Sequence, residues 1–303
     1  MSASQLLVTG ATGSTGYATI QALQGSGHHV RALVHQEGPR ADALRALGAE
    51  IIIGDQLDID SVRAAMEDVD SAYFVFPLHP RLLDATSYFA QAAHEAGVGA
   101  IVNLSQRTAR RDSKSHSAQN HWIAEQIFDW SGIPVTHLRP TLFDEWLTYD
   151  FSIGGIVDND VLAIPFGTGR FSPIAAQDQG RVIAAVLSDP KPHAGQTYLL
   201  DGPAEMSAAD MADTLGDVLD RPIRYYDLPI ADFQAAAAAI PHLGSYVGQH
   251  IGAVMVDLQD GRLAGTPTNT VEQLTGIPPM SVRDFVEANR DQFIPPQPAT
   301  ATP

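Results

Sequence analysis

Apolar residues in this chain fall into short runs, separated by longer stretches in which they recur at helical spacing. The runs at 5–9, 29–34, 50–53, 71–76, 100–104 and 134–138 are too short for helices and read as buried strands. Amphipathic helices are expected between them, over 15–25, 40–47, 60–67, 82–96 and 117–131. Strands that alternate with helices imply right-handed crossovers, a parallel sheet and helices on both of its faces. The expected class is therefore α/β with a doubly wound parallel sheet. In such a sheet ligands sit beyond the carboxyl ends of the strands, which singles out the residues after 9, 34, 53, 76, 104 and 139.

The rhythm changes after Pro140. Residues 151–172 are rich in Gly, Asp and isolated apolar positions and suit loops and short elements. A late strand is expected at 197–200, and Ser207 should cap a helix that runs through Asp220. Another strand follows at 223–228, then helices near 230–240 and 243–260, and a final helix over 281–292 that opens on Ser281. No internal repeat is visible. The expected organisation is a core over 1–145, with a strand contribution from about 195–201, and a smaller mixed lobe over 146–294. The Pro/Ala/Thr stretch 295–303 reads as a flexible tail.

Composition narrows the partners. At 303 residues, 45% hydrophobic and 17% charged, the chain can bury a large core. No apolar run approaches the roughly 20 residues needed to cross a bilayer, and the N-terminal segment has no basic stretch leading into an apolar one. A cytoplasmic protein with no membrane partner is expected. The absence of cysteine excludes disulfides, thiolate metal sites and a cysteine nucleophile. A net charge of −17 repels nucleic acid, so none is expected as a partner. The one basic cluster, Arg107, Arg110, Arg111 and Lys114, reads most simply as a solvated loop.

The chemistry begins at the first strand. Leu6-Leu7-Val8-Thr9 leads into glycines at 10, 13 and 16, then into a helical pattern. A strand, a tight turn and a helix start present unpaired N–H groups and the positive end of a helix dipole to a phosphate. Gly10 permits the turn, Gly13 lets a pyrophosphate approach, and Gly16 lets the helix pack closely. Thr12, Ser14 and Thr15 complete the candidate diphosphate cradle. The spacing is GxxGxxG, and it points to a Rossmann fold that binds a dinucleotide.

The run Thr9-Gly10-Ala11-Thr12-Gly13-Ser14-Thr15-Gly16 resembles the atypical short-chain dehydrogenase/reductase superfamily, specifically its NmrA-like branch. Three further matches carry the resemblance: Gly54-Asp55 after the third strand, His121-x-x-x-Glu125 on a helix, and Leu138-Arg139-Pro140-Thr141. It extends over roughly residues 5 to 290 and is strongest before 145. The resemblance implies that Asp55 and Gln56 meet the adenine edge and that Pro140 and Thr141 lie against the nicotinamide carboxamide. Phe76, Pro77 and Leu78 would pass the ribose and pyrophosphate, and Ser105 would end the strand nearest the nicotinamide. The second strand ends without an acid at His35-Gln36, and Arg40 follows, which favours NADP(H) over NAD(H) because cations accept the 2′-phosphate.

The better-known short-chain dehydrogenases use a Tyr-x-x-x-Lys pair to protonate a carbonyl. Here the matching positions hold Ser117 and His121. His121 could inherit the lysine role by holding the nicotinamide ribose, and an imidazole that titrates near neutrality would also relay protons. Alternatively the substrate needs little acid help, or the protein senses the cofactor without turnover. The catalytic candidates are His121, Ser117 and Tyr149, with Asp144 and His79 as further donors. Glu125 shares the helical face of His121 and could orient it or sit in a structural pair. His137 alternates with Val135 and reads as a core histidine. No His/Asp/Glu set has metal-binding spacing, so no metal is expected. Phe143, Trp146, Tyr149 and Phe151 suit either an aromatic pocket or packing between lobes.

Together these features predict an NAD(P)H-dependent oxidoreductase that delivers hydride to an apolar or aromatic small molecule, such as a quinone, ketone, imine or activated alkene. A redox sensor that binds the dinucleotide and a protein partner is the alternative. A homodimer is left open.

Overall fold

The computed structural model describes residues 3–239 and 244–294. Strands and helices alternate from the start: β1 (Gln5–Val8), α1 (Ser14–Ala22), β2 (His29–Val34), α2 (Pro39–Ala46), β3 (Glu50–Ile53), α3 (Ile59–Ala65), β4 (Ser71–Phe74), α4 (Leu82–Ala96), β5 (Ala100–Leu104), α5 (His116–Trp130) and β6 (Val135–Pro140). Beyond them come α6 (Asp150–Asn159), β7 (Val161–Ile164), β8 (Arg170–Phe171), α7 (Ala176–Ser188), β9 (Thr197–Leu200), β10 (Met206–Ser207), α8 (Ala208–Leu219), β11 (Arg224–Asp227), α9 (Ile230–Ala239), α10 (Gly244–Gln259), α11 (Thr270–Thr275) and α12 (Val282–Ala288). The expected tail 295–303, and the ends of the expected helices that reach into 240–243, lie outside the described residues.

Seven parallel strands form one sheet in the order β3-β2-β1-β4-β5-β6-β9. This is the doubly wound α/β sheet that the alternation predicted. The order reverses between β1 and β4, which opens a crevice at their carboxyl ends. Strand alternation decides which side chain meets which layer. Leu6 and Val8 pack with Ile20, Val182 and Val186, whereas Leu7 faces the other way with Val62, Met66 and Phe89. On that second face Phe74 meets Phe89 and Phe128 edge-on, with ring centroids 4.9 and 5.1 Å apart.

β4 ends sooner than the apolar run suggests. The Thr9 hydroxyl donates to Tyr73 O at 3.0 Å and accepts from Val75 N–H at 3.1 Å. A side chain thus replaces the ladder beyond Phe74, and Val75–Phe76 turn out of the sheet along the crevice.

One helix of this layer, α7, was absent from the sequence-based expectation. α7 packs along α1, and a Cβ on its Gly180 would sit 2.5 Å from the Ala18 carbonyl carbon. Glycine there permits close helix contact, although within a sequence it reads as a helix breaker. Residues 151–172, expected as loops and short elements, hold α6, β7 and β8. Gly155 lacks a side chain because a Cβ would lie 2.7 Å from Val161 O. A third apolar cluster, drawn from residues beyond 146, includes Leu147, Phe166, Met211, Leu215, Met255 and Phe285. Ser207 and Ser281 begin α8 and α12 with reciprocal capping boxes to Asp210 and Asp284.

Candidate active site

The turn after β1 takes its shape from its glycines. Gly10 has φ +55°, and a Cβ there would lie 2.4 Å from Val75 Cγ1. A Cβ on Gly16 would lie 2.4 Å from Gly10 O, so α1 can start this close to the strand only with glycine at that position. The Gly13 N–H closes the turn on Gly10 O at 2.9 Å. α1 has no side-chain cap and no acid in its first turn, which leaves its leading N–H groups facing outward. Gly13 and Ser14 are exposed beside them and Thr12 is half-buried. Thr15 is buried, and its hydroxyl meets Tyr73 OH at 3.0 Å.

At the end of β3, Asp55 accepts from Leu57 N–H at 2.8 Å and Asp58 caps α3, so Asp55 is not spent on the helix. Gln56 donates to Val75 O at 3.3 Å and leaves its buried Oε1 without a partner among the described residues. Orphaned buried atoms recur at the neighbouring strand ends: Ser105 Oγ and Gln106 Nε2 after β5, and Thr141 Oγ1 after β6. Buried polar groups are almost always paired. Four unpaired ones around one crevice, together with an uncapped helix start, fit a dinucleotide laid across the strand ends.

A cavity of about 640 Å³ opens at this crevice, within the range of small-molecule sites. Among the expected residues, Thr15, Phe76, Pro77, Leu78, Ser105, His121, Pro140, Thr141 and Tyr149 line it. Gly10, Thr12, Gly13, Ser14, Gly16, Asp55 and Gln56 do not reach its wall, and lie along the strand ends beside it or at the turn. His35 and Arg40, which follow the carboxyl end of β2, are exposed and outside the cavity wall.

Several expectations are corrected. Ser117 is buried within α5 and takes no part in the cavity wall. His121 does line the cavity, but burial and the neighbouring His250 push its pKa down to about 3. It is a neutral imidazole at physiological pH and not the near-neutral relay that its residue type suggested. Glu125 does not orient His121; it accepts from Arg139 Nε at 2.9 Å. Only half of the basic cluster is solvated: Arg111 and Lys114 are exposed, whereas Arg107 pairs with the buried Asp201 and Arg110 reaches Asp257 at 2.8 and 2.9 Å. His137 is the expected core histidine, held by Asn103 at 3.0 Å and Asp129 at 3.2 Å. His79 is exposed and outside the cavity wall. Asp144 is fully buried, and neither of its carboxylate oxygens has a partner among the described residues. No acidic or histidine cluster able to hold a metal occurs among the described residues.

The aromatic cluster lines the cavity, and the stacking partners of Trp146 lie within residues 146–294 rather than across the two lobes. Phe143, Trp146, Tyr149 and Phe151 line the cavity, while Trp146 also packs against Phe151 and the buried Phe166 at 5.0 and 5.2 Å. Burial and the Glu145 carboxylate raise the Tyr149 pKa, which keeps its phenol protonated. The opposite wall comes from α10, with Val247, His250, Ile251, Val254 and Met255. Those positions form one helical stripe, and His250 interrupts it. That interruption is the local signal by which the sequence could have pointed to His250.

A family model described as the NmrA-like family matches residues 2–259. An NAD(P)H azoreductase of Xenophilus azovorans is 28% identical over 294 residues, covering 95% of this chain and 99% of its own length. A (4-alkanoyl-5-oxo-2,5-dihydrofuran-3-yl)methyl phosphate reductase of Streptomyces griseus is 28% identical over 296 residues, covering 96% of this chain and 99% of its own. Among solved structures, an NADPH-dependent quinone oxidoreductase of Escherichia coli superposes with a TM-score of 0.79 at 25% identity, covering 94% and 99% of the two chains.

Proposed function

Because the chain belongs to the NmrA-like family and is an NAD(P)H-dependent reductase like its relatives, we propose that it reduces a flat, conjugated acceptor: a quinone, an azo compound or an activated alkene. The observation that carries this reading is the cavity itself, walled by aromatic and aliphatic side chains and reaching the strand ends where Ser105 and Thr141 are unpaired. Residues 1–145 with β9 hold the dinucleotide in this reading, and residues 146–294 shape the substrate wall.

Gly10, Thr12, Gly13, Ser14, Thr15 and Gly16 would hold the pyrophosphate, Asp55 and Gln56 the adenine, Phe76, Pro77 and Leu78 the central ribose region, and Ser105, His121, Pro140 and Thr141 the nicotinamide. The bound reduced nicotinamide supplies hydride. The protein orients the acceptor and excludes water. Its neutral His121 and the missing Tyr-Lys pair supply no strong acid at neutral pH. A simple ketone would become a strongly basic alkoxide, whereas a quinone spreads the arriving charge over a conjugated ring. This difference favours conjugated acceptors over the simple ketones that the sequence also admitted.

NADPH mixed with a panel of quinones, azo dyes and simple ketones tests the reading. Consumption with a quinone or azo dye and none with simple ketones is expected. Tight binding without consumption across the panel would instead support the sensor.

NADP(H) is the preferred cofactor in this reading. Arg45 is committed to Glu37 and Asp42 at 2.6 and 2.8 Å, which leaves the exposed Arg40 as the cation for a 2′-phosphate. Arg40→Ala should weaken NADPH about tenfold, the worth of one charge-assisted hydrogen bond, and leave NADH nearly unchanged. Calorimetry that shows equal effects on both cofactors would overturn the assignment.

A further inference from the structure

The cavity walls are mostly carbon, yet His250 reaches them from α10 with its ring already fixed. Its Nδ1 lies 2.7 Å from Ser115 Oγ, and Ser115 is fully buried. That hydroxyl caps α5 by accepting from Ala118 N–H at 3.0 Å. Its own proton then has one acceptor among the described residues, the Nδ1 lone pair of His250. The reverse assignment would leave a buried hydroxyl proton unpaired, at a cost of about 1–3 kcal/mol. Counting donors therefore makes Nδ1 the acceptor and puts the proton of the neutral ring on Nε2. Burial keeps the ring neutral by lowering its pKa to about 4. Nε2 has no partner among the described residues, although the ring lines the cavity. α10 is braced against α5 just before this residue: Asn120 Nδ2 donates to Tyr246 OH at 3.1 Å, and His116 N–H donates to Gln249 Oε1 at 3.0 Å.

We propose that His250 is a specificity-determining residue that donates from Nε2 to the carbonyl oxygen or azo nitrogen of the substrate on which negative charge collects when hydride arrives. This rests on the reductase reading above. A quinone that takes hydride from the reduced nicotinamide, which is thereby oxidised, becomes the hydroquinone mono-anion. Its charge falls on the oxygen held by Nε2–H, and water supplies the proton that completes the hydroquinone. Ser115 acts through His250 as a positioning residue, since it selects the tautomer that can donate.

Two measurements test the proposal. Imidazole nitrogen NMR of the wild-type protein should show His250 as the Nε2–H tautomer, and Ser115→Ala should shift it towards a mixture. Steady-state kinetics should compare a naphthoquinone with a triarylmethyl cation dye, whose hydride-accepting carbon has no neighbouring acceptor oxygen. His250→Phe should lower kcat/KM for the quinone about tenfold more than for the dye, and His250→Gln, which retains a donor, should recover most of that ratio. Equal losses on both acceptors without rescue by glutamine, or an Nδ1–H tautomer in the wild type, would overturn it. If the wild-type protein turns over neither acceptor, the reductase reading has failed and the role of His250 falls with it. The tautomer result is read without turnover and keeps the two failures apart.

Discussion

Gly13→Val is expected to leave the protein folded and to weaken NADPH binding by about 100-fold or more, a loss of ~2.7 kcal/mol. Gly13 is exposed at the start of α1 with an ordinary φ of −87°. A Cβ there meets only Gly10 O, at 3.2 Å, which a small shift of the turn relieves. The added methyl groups would stand in front of the uncapped N–H groups of α1, where a diphosphate must come into contact. Gly10 and Gly16 are poorer probes, because strain at the first and a 2.4 Å collision at the second would damage the turn itself. Circular dichroism should show an unchanged fold while calorimetry shows the loss. Affinity within about threefold of wild type would remove the diphosphate role of this turn, and with it the cofactor assignment.

Asp144→Asn should make the protein more stable at pH 8 than the wild type, with little difference near pH 4. Asp144 is completely buried and its carboxylate oxygens have no partner among the described residues. Burial, reinforced by the charges of Glu145 and Asp178, raises its pKa well above 3.8. The folded protein thus keeps this proton to a higher pH than the unfolded chain. The contribution to stability is complete below the unfolded value and is lost as pH rises through the folded one. Each unit of elevation corresponds to about 1.4 kcal/mol, so a gain in Tm of at least ~3 °C is expected at pH 8. Asparagine keeps the shape and removes the ionisation. A difference in Tm that does not vary with pH would show that Asp144 does not titrate in this way.

The local part of the fold was legible because it depends on neighbours in sequence. Alternating apolar runs fixed the strands from β1 to β6, and Ser207 and Ser281 announced their helices through capping chemistry. Glycine is uninformative in the sequence where its cause is not local. Gly180 and Gly155 lack side chains because Ala18 and Val161 approach from elsewhere in the chain, and nothing near them in the sequence says so. β4 was read two residues too long because Thr9, 66 positions away from Val75, ends the ladder with its side chain.

The candidate site divides along the same line. The glycine turn and the residues at the ends of β3, β5 and β6 could be named from the chain alone, since strand ends and a helix start define a phosphate site by local geometry. Ionisation states could not be named. His121 carried the expectation of an ordinary imidazole until α10 closed over it and placed His250 alongside. Arg107 and Arg110 were read as solvated until Asp201 and Asp257 arrived from distant segments.

By itself, then, the sequence determined the class of fold, the position of the glycine turn and the absence of a Tyr-x-x-x-Lys pair. Only the tertiary structure decided which groups are charged, which are orphaned and what walls the cavity. Burial and pairing set those properties, and both are created by residues that meet in space after long intervals of chain.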